Sequence, residues 1–301
     1  LGEEAVKYFH RMQAEGVSPN AITFVSILKA CGSIGSLNTG GEIHKEVTKQ
    51  MLLEDNLVLG VALLDMYAKC GVLVKAQEVF DTLLLIQDVV PWNALMAGYA
   101  QLGHAKEVLN LFNKMMGKAI VPNLVTFLIM LTACSHAGLV EEGQALFNDM
   151  SIMYQLIPNL EHYMCMVDLF SRSGHFDKAI AVIETVQTSD RLPLWLVLLG
   201  ACHKWINAEV GMWAFEQSLR MNRECGSAYV FMGNICAASG IHSNVIDMDA
   251  LRVQTNTNSS KCQSNMCNNA KLGDYENILS QQLCPTNLNW VLETVFHDGN
   301  S

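Results

Sequence analysis

The sequence predicts an all-α solenoid of antiparallel helix pairs, and three observations carry that prediction. First, the 301-residue chain repeats itself at an offset of 103. Trp92 matches Trp195, Thr23 matches Thr126, Phe24 matches Phe127, Cys31 matches Cys134, and Gly71 matches Gly174. Chance does not align so many residues at one offset, so a repeat architecture precedes any other reading. Second, Trp92, Leu95, Met96 and Tyr99 share one helical face, and Val108, Leu111, Phe112 and Met115 share another. Third, Gly103 breaks the chain between those faces, and Gly117 and Pro122 close the second. A single pair of this kind cannot bury both apolar faces, so it must stack on copies of itself.

Taken in order, residues 1–20 are the second helix of a partial pair: Ala5, Tyr8, Phe9 and Met12 face one way, and Gly16 and Pro19 end it. Complete units follow at 21–56, 57–88, 89–123, 124–159 and 160–191. Their lengths are 36, 32, 35, 36 and 32 residues, and the first three add up to the 103-residue offset. The true period is therefore a triplet of unequal units. Hairpin turns are expected near Gly35, Gly71, Gly103, Gly138 and Gly174. A further unit starts near 192 and another near 226, and no pattern is seen beyond about Val245. The predicted organisation is a repeat array over 1–191, further helical repeats over 192–245, and an irregular tail over 246–301.

Composition narrows the function classes. Half the residues are apolar and 16% are charged, which suits a globular chain and not a disordered one. No apolar run reaches about 18 residues, so no membrane span is expected. The chain starts at Leu1, from which a missing N-terminus and targeting segment are expected. Cys31, Cys134 and Cys202 recur at one repeat position, as small helix packers and not disulfide halves. Free thiols point to a reducing compartment. Phosphate loops, G-x-S-x-G elbows and H-x-x-x-H pairs do not occur, and Cys262 with Cys267 lacks the second pair that a zinc knuckle needs. No enzyme activity, cofactor or metal is expected.

The wording of several stretches is more specific. DMYAKCG (65–71), VVPWNALMAGYAQLGH (89–104), VTFLIMLTACSHAGLVEEG (125–143) and HYMCMVDLFSRSG (162–174) resemble the consensus of the plant pentatricopeptide repeat family. The order of unit lengths is similar to its class of long, short and standard repeats. LGAC (199–202) and AYVFMGNICAASG (228–240) resemble the extension motifs of that family's RNA-editing members. The resemblance implies a right-handed superhelix that takes single-stranded RNA, one base per repeat. It also implies an organellar RNA in mitochondrion or chloroplast, a C-to-U editing or other processing site, and an editing deaminase or accessory editing protein recruited through 192–245.

In that family the fifth residue of a unit and its last residue read the base edge, and an apolar second residue packs on the base. Carried over, the pairs are Val25 with Asn56, Val61 with Asp88, and Asn93 with Asn123. Asn20 and Asn159 are further last residues, and Val90 is the second residue of the unit that holds Asn93. Only Asn93 with Asn123 carries two short amides, a pair the resemblance assigns to a pyrimidine; Val61 departs from the family's usual Asn. Asn20, Asn123 and Asn159 each follow Pro and precede a helix, so each is equally an N-cap candidate, and cap and reader are compatible roles. Trp92, Phe24, Phe127 and Tyr163 sit one residue before the fifth place and are expected in the core, not as stacking platforms.

Charge pulls the other way. The formal net charge is −10, whereas a phosphate-driven binder should be basic. Either the acid sits on the outer helices, or the chain is a protein-binding scaffold of tetratricopeptide type without RNA contact. The tail adds one expectation: 253–271 (VQTNTNSSKCQSNMCNNAK) has no apolar period, so limited proteolysis should cut there before it cuts within 89–191. Earlier cleavage inside 89–191 would contradict that division.

Overall fold

A computed structural model describes residues 1–53, 56–84, 87–187 and 191–240. The tail expected over 246–301, with Cys262 and Cys267, lies outside them. Among the described residues there are fourteen helices and no strand. The chain divides into two compact units, one over Leu1–Ala133 and one from Cys134 onward.

The first unit holds α1 (Gly2–Ala14), α2 (Ala21–Ile34), α3 (Leu37–Lys49), α4 (Leu57–Lys69), α5 (Leu73–Leu83), α6 (Val89–Gln101), α7 (Ala105–Gly117) and the start of α8 (Leu124–Ala137). The second holds the end of α8, then α9 (Val140–Ile152), α10 (Leu160–Arg172), α11 (Phe176–Thr185), α12 (Leu192–Trp205), α13 (Ala208–Met221) and α14 (Gly226–Ala238). Helices α2, α4, α6, α8, α10 and α12 start at the residues that open the repeats in the sequence. In the first unit α2 packs on α4 and α4 on α6; in the second, α10 packs on α12 and α12 on α14. First helices are thus neighbours of first helices, as stacked hairpins require.

Each hairpin turns on a residue in the left-handed region. Gly35, Gly71, Gly103, Gly138 and Gly174 have φ between 67° and 79°. At Gly71 the next residue closes the end of α4, Val72 N–H donating to Tyr67 C=O at 2.9 Å. That 6→1 bond satisfies a carbonyl the helix would otherwise leave open. The same bond recurs as Asn207 N–H to Cys202 C=O at 3.0 Å, but the left-handed residue there is Ile206, at φ 52°. A β-branched side chain is costly in that conformation.

The first helices are apolar on most sides because they are enclosed. In α4, Leu59, Val61, Ala62, Leu63, Leu64, Met66 and Tyr67 are all buried. The second helices are amphipathic: α7 buries Ala105, Val108, Leu111 and Met115 along one stripe. Aromatic pairs tie several first helices to the second helix before them. Phe24 meets Phe9 at 6.3 Å, Trp92 meets Phe80 at 4.9 Å, and Phe127 meets Phe112 at 6.2 Å between ring centroids. Within the second unit Tyr163 meets Phe147 at 5.4 Å. These are edge-on or tilted contacts of the kind aromatic quadrupoles favour. They put the aromatics in the core, with Tyr163 half-buried.

Close approach of α4 and α6 depends on Gly98. A Cβ there would stand 2.6 Å from the Cβ of Ala68, an atom fixed directly to the α4 backbone. Gly98→Ala should therefore lower stability by about 1–3 kcal/mol, the usual cost of overpacking. Ile206→Gly should raise it by about 0.5–1 kcal/mol, relief of left-handed strain less the added chain entropy of glycine. Thermal denaturation followed by circular dichroism checks both, and equal melting temperatures for the two variants would refute the assignment.

Candidate functional site

The last residues of the units that end at 20, 56, 88, 123 and 159 cap the next first helix; Arg191, before α12, makes no side-chain cap bond. Asn20 Oδ1 accepts from Thr23 N–H at 2.9 Å, Asn56 Oδ1 from Leu59 N–H at 3.0 Å, and Asp88 Oδ1 from Val90 N–H at 2.7 Å. Asn123 Oδ1 accepts from Thr126 N–H at 3.0 Å, and Asn159 Oδ1 from Glu161 N–H at 3.1 Å. Asn159 also exchanges bonds with His162, forming a capping box. The N-cap role expected for Asn20, Asn123 and Asn159 is present in all three, and Asn56 and Asp88 share it. A cap of this type contributes about 1 kcal/mol to its helix.

The fifth residues are placed very differently. Val25 and Val61 are 8% and 1% exposed, turned into the core with the rest of their helices. An apolar side chain on an enclosed helix joins the packing, and neither valine has a polar atom to offer a base edge. Asn93 is buried too, at 3% exposed, but both ends of its amide are hydrogen-bonded. Val90, two residues after the cap Asp88, is half-buried.

Asn93 and Asn123 come together. Asn93 Nδ2 donates to Asn123 Oδ1 at 3.1 Å, across 30 residues of chain. Thr126 joins them: its Oγ1 lies 2.8 Å from Asn93 Oδ1 and 3.0 Å from Asn123 Oδ1, and accepts from Asn123 N–H at 3.1 Å. Thr126 is fully buried, Asn93 nearly so, and Asn123 half-buried, so Asn123 forms the outer member of the cluster. Sequence reading paired the two asparagines and missed the threonine. The signal was there: Thr23 and Thr126 match at the repeat offset, and Thr23 likewise bonds the cap before it, Oγ1 to Asn20 Oδ1 at 2.9 Å.

Charge is sorted between the helix layers. The first helices α2 to α14 hold four cations, Lys29, Lys69, Arg172 and Lys204, and three acids, Asp65, Glu161 and Asp168. The second helices α3 to α13 hold 7 Lys/Arg against 12 Asp/Glu. Two of the first-helix acids are neutralised locally: Asp65 pairs with Lys69, and Asp168 with Arg172, each at 2.8 Å. Burial pushes the Asp65 carboxyl up, and the nearby Lys69 and Lys29 hold it down in part.

The repeat-position thiols are packing groups. Cys31, Cys134 and Cys202 are fully buried. Burial pushes Cys134 and Cys202 up to about 12, and burial together with nearby Cys70 pushes Cys31 up to about 11. Thiols so far from ionisation are unreactive. Among the described residues no three His, Cys, Asp or Glu side chains stand close enough to hold a metal, and no helix is long and apolar enough to cross a membrane.

Comparison with known proteins bears on the repeats and on the fold. Residues 87–136 match the model of the PPR repeat family, 2–34 match the pentatricopeptide repeat domain, and 125–152 and 161–189 match the PPR repeat. A putative pentatricopeptide repeat-containing protein of Arabidopsis thaliana is 38% identical over 237 residues, covering 79% of this chain and 34% of the relative. A second such Arabidopsis protein, described as mitochondrial, is 35% identical over 254 residues, covering 84% of this chain and 39% of the relative. The chain thus spans little more than a third of these relatives' length. The crystal structure of the pentatricopeptide repeat protein PPR10 in complex with an 18-nt psaJ RNA element superposes with a TM-score of 0.66 at 16% identity, over 85% of this chain and 38% of that one. At that identity the likeness concerns the fold.

Proposed function

We propose that this chain, whose helical hairpins match pentatricopeptide repeat models, binds single-stranded RNA by presenting one reading position per repeat. The observation that carries the reading is the bond between Asn93 and Asn123, 3.1 Å long across the junction of two repeats. It supports a single polar site at a place where the surrounding fifth residues are apolar. Asn123 supplies the half-buried contact, and Asn93 stands behind it. Neutral amides fit base-edge recognition better than phosphate attraction, which suits a chain of net charge −10. The acid excess lies on the second helices, and the first helices, the expected RNA face, are close to neutral.

The finer reading follows the relatives. Several are described as mitochondrial, which supports an organellar RNA, in mitochondrion or chloroplast. On this reading the array covers 1–191 and belongs to the class of unequal triplets, and 192–245 are extension-type repeats. Those repeats recruit an editing deaminase or accessory editing protein to a C-to-U site, where the partner supplies the catalysis. Asn56, Asp88, Asn20 and Asn159 act mainly as caps, and Val90 packs at the base face beside the Asn93–Asn123 site.

Binding of four RNA oligonucleotides that differ at one position tests the proposal, by filter retention across a range of salt. The unaltered chain should favour a pyrimidine there. Asn93→Thr should move the preference toward adenine, as the family resemblance implies, with a change of about 1–3 kcal/mol for the matched base. If Asn93→Thr weakens all four oligonucleotides equally, or none, Asn93 is a packing residue and the reading role is wrong. Absence of RNA binding at any salt would favour the protein-binding scaffold instead.

A further inference from the structure

We propose that Thr126 is a positioning residue: it fixes which atoms the Asn93–Asn123 pair turns outward, and so makes that site a donor-only reader that favours cytosine over uracil. The inference rests on the reading role proposed above.

The argument is a count of protons and lone pairs. A threonine hydroxyl carries one proton and can accept as well. Thr126 Oγ1 accepts from Asn123 N–H at 3.1 Å, so its own proton is free for one of two carbonyl oxygens. Asn123 Oδ1 already accepts from Thr126 N–H at 3.0 Å and from Asn93 Nδ2 at 3.1 Å, which occupies both its lone pairs. The proton therefore goes to Asn93 Oδ1, at 2.8 Å, the shorter of its two contacts. The orientation of each amide follows from this network. Asn93 must turn its oxygen to Thr126 and its nitrogen to Asn123. Asn123 must turn its oxygen inward, toward its cap and Asn93, and its nitrogen outward.

The ring closes through four groups: Asn123 N–H, the Thr126 hydroxyl, the Asn93 amide and the Asn123 carbonyl. What it leaves for a ligand is the Asn123 Nδ2 with two protons and no inward acceptor. Burial makes the ring rigid, because a flipped amide would set oxygen against oxygen in a site with little water. A face offering only donors suits a base edge offering only acceptors. Cytosine presents O2 and N3 as acceptors side by side. Uracil presents O2 beside an N3–H, which would meet the amide donor to donor. Specificity thus comes partly from an unpaired donor imposed on the wrong base.

The Thr126 hydroxyl is the hinge of this arrangement. In Thr126→Val the shape and the backbone cap are kept and the hydroxyl is lost. Asn93 Oδ1 then has no donor, Asn93 is free to turn, and the Thr126 N–H cap alone holds the Asn123 oxygen inward, one bond in place of two. An outward oxygen would accept from uracil N3–H.

The test is binding of two oligonucleotides that differ only by cytosine or uracil at the position read by this pair, with helical content checked by circular dichroism. The unaltered chain should favour cytosine. Thr126→Val should lower the cytosine-to-uracil affinity ratio at least about threefold, the size of one modest hydrogen bond. Thr126→Ser, which keeps the hydroxyl, should restore the unaltered ratio, an effect that mere loss of stability does not produce. Should the valine variant lose helix, Thr126→Ala takes its place in the same assay. An unchanged ratio in the hydroxyl-free variant, or a ratio at or below one in the unaltered chain, overturns the proposal. Asn123→Ala separates the two levels. If it abolishes discrimination while Thr126→Val does not, the pair reads and Thr126 does not position it. If Asn123→Ala changes nothing, the reading role itself fails.

Discussion

No hairpin in this chain can bury its own apolar surface, and the rest of the structure follows from that constraint. A first helix such as α4 is apolar on most sides, so it needs neighbours before, behind and beside it. Those neighbours are the first helices α2 and α6 and the second helices α3 and α5. The aromatic contacts Trp92–Phe80 and Phe127–Phe112 carry the same requirement from one repeat to the next. Where α4 and α6 approach closely, at Gly98 against Ala68, side chains shrink to a hydrogen and a methyl group. Stability is then a sum over neighbour contacts, with no single centre.

Stacking also explains why caps and candidate readers coincide. The last residue of a repeat stands at the N-terminus of the next first helix, where backbone N–H groups lack partners. A short polar side chain is favoured there for local reasons alone, and Asn20, Asn56, Asp88, Asn123 and Asn159 all accept such a bond. The cap bond has a second effect. It commits the carbonyl oxygen of each Asn inward and leaves the amide nitrogen facing the other way. A residue kept for helix stability thereby has its amide orientation fixed at no added conformational cost. Among the described residues, a polar fifth residue stands within hydrogen-bonding reach of the cap at Asn123 alone, where Asn93 bonds it.

The separation of charge fits the same plan. Enclosed first helices tolerate few ionised groups, and Asp65 and Asp168 are each held by a cation one turn away. Second helices have an open face, and solvent carries their acid at little cost. A strongly negative chain can therefore keep a nearly neutral layer of first helices. Net charge is a poor guide to the partner of a layered repeat protein, because the layers are charged independently.

Much of this was determined by the sequence alone. The 103-residue offset, the paired faces and the hairpin glycines located the helices, because periodicity and left-handed turns are local properties of the chain. Ile206 escaped that reading: it takes the left-handed turn without the glycine that marks the others. The candidate site was legible as the pairing of Asn93 with Asn123, and not beyond it. Burial of Val25 and Val61, the near burial of Asn93, and the bridging hydroxyl of Thr126 were decided by tertiary structure. The physical reason is that a side chain's exposure and the direction of its amide depend on neighbours from another helix. Position in a repeat says where a residue starts, and only the packed partner says which of its atoms remains free.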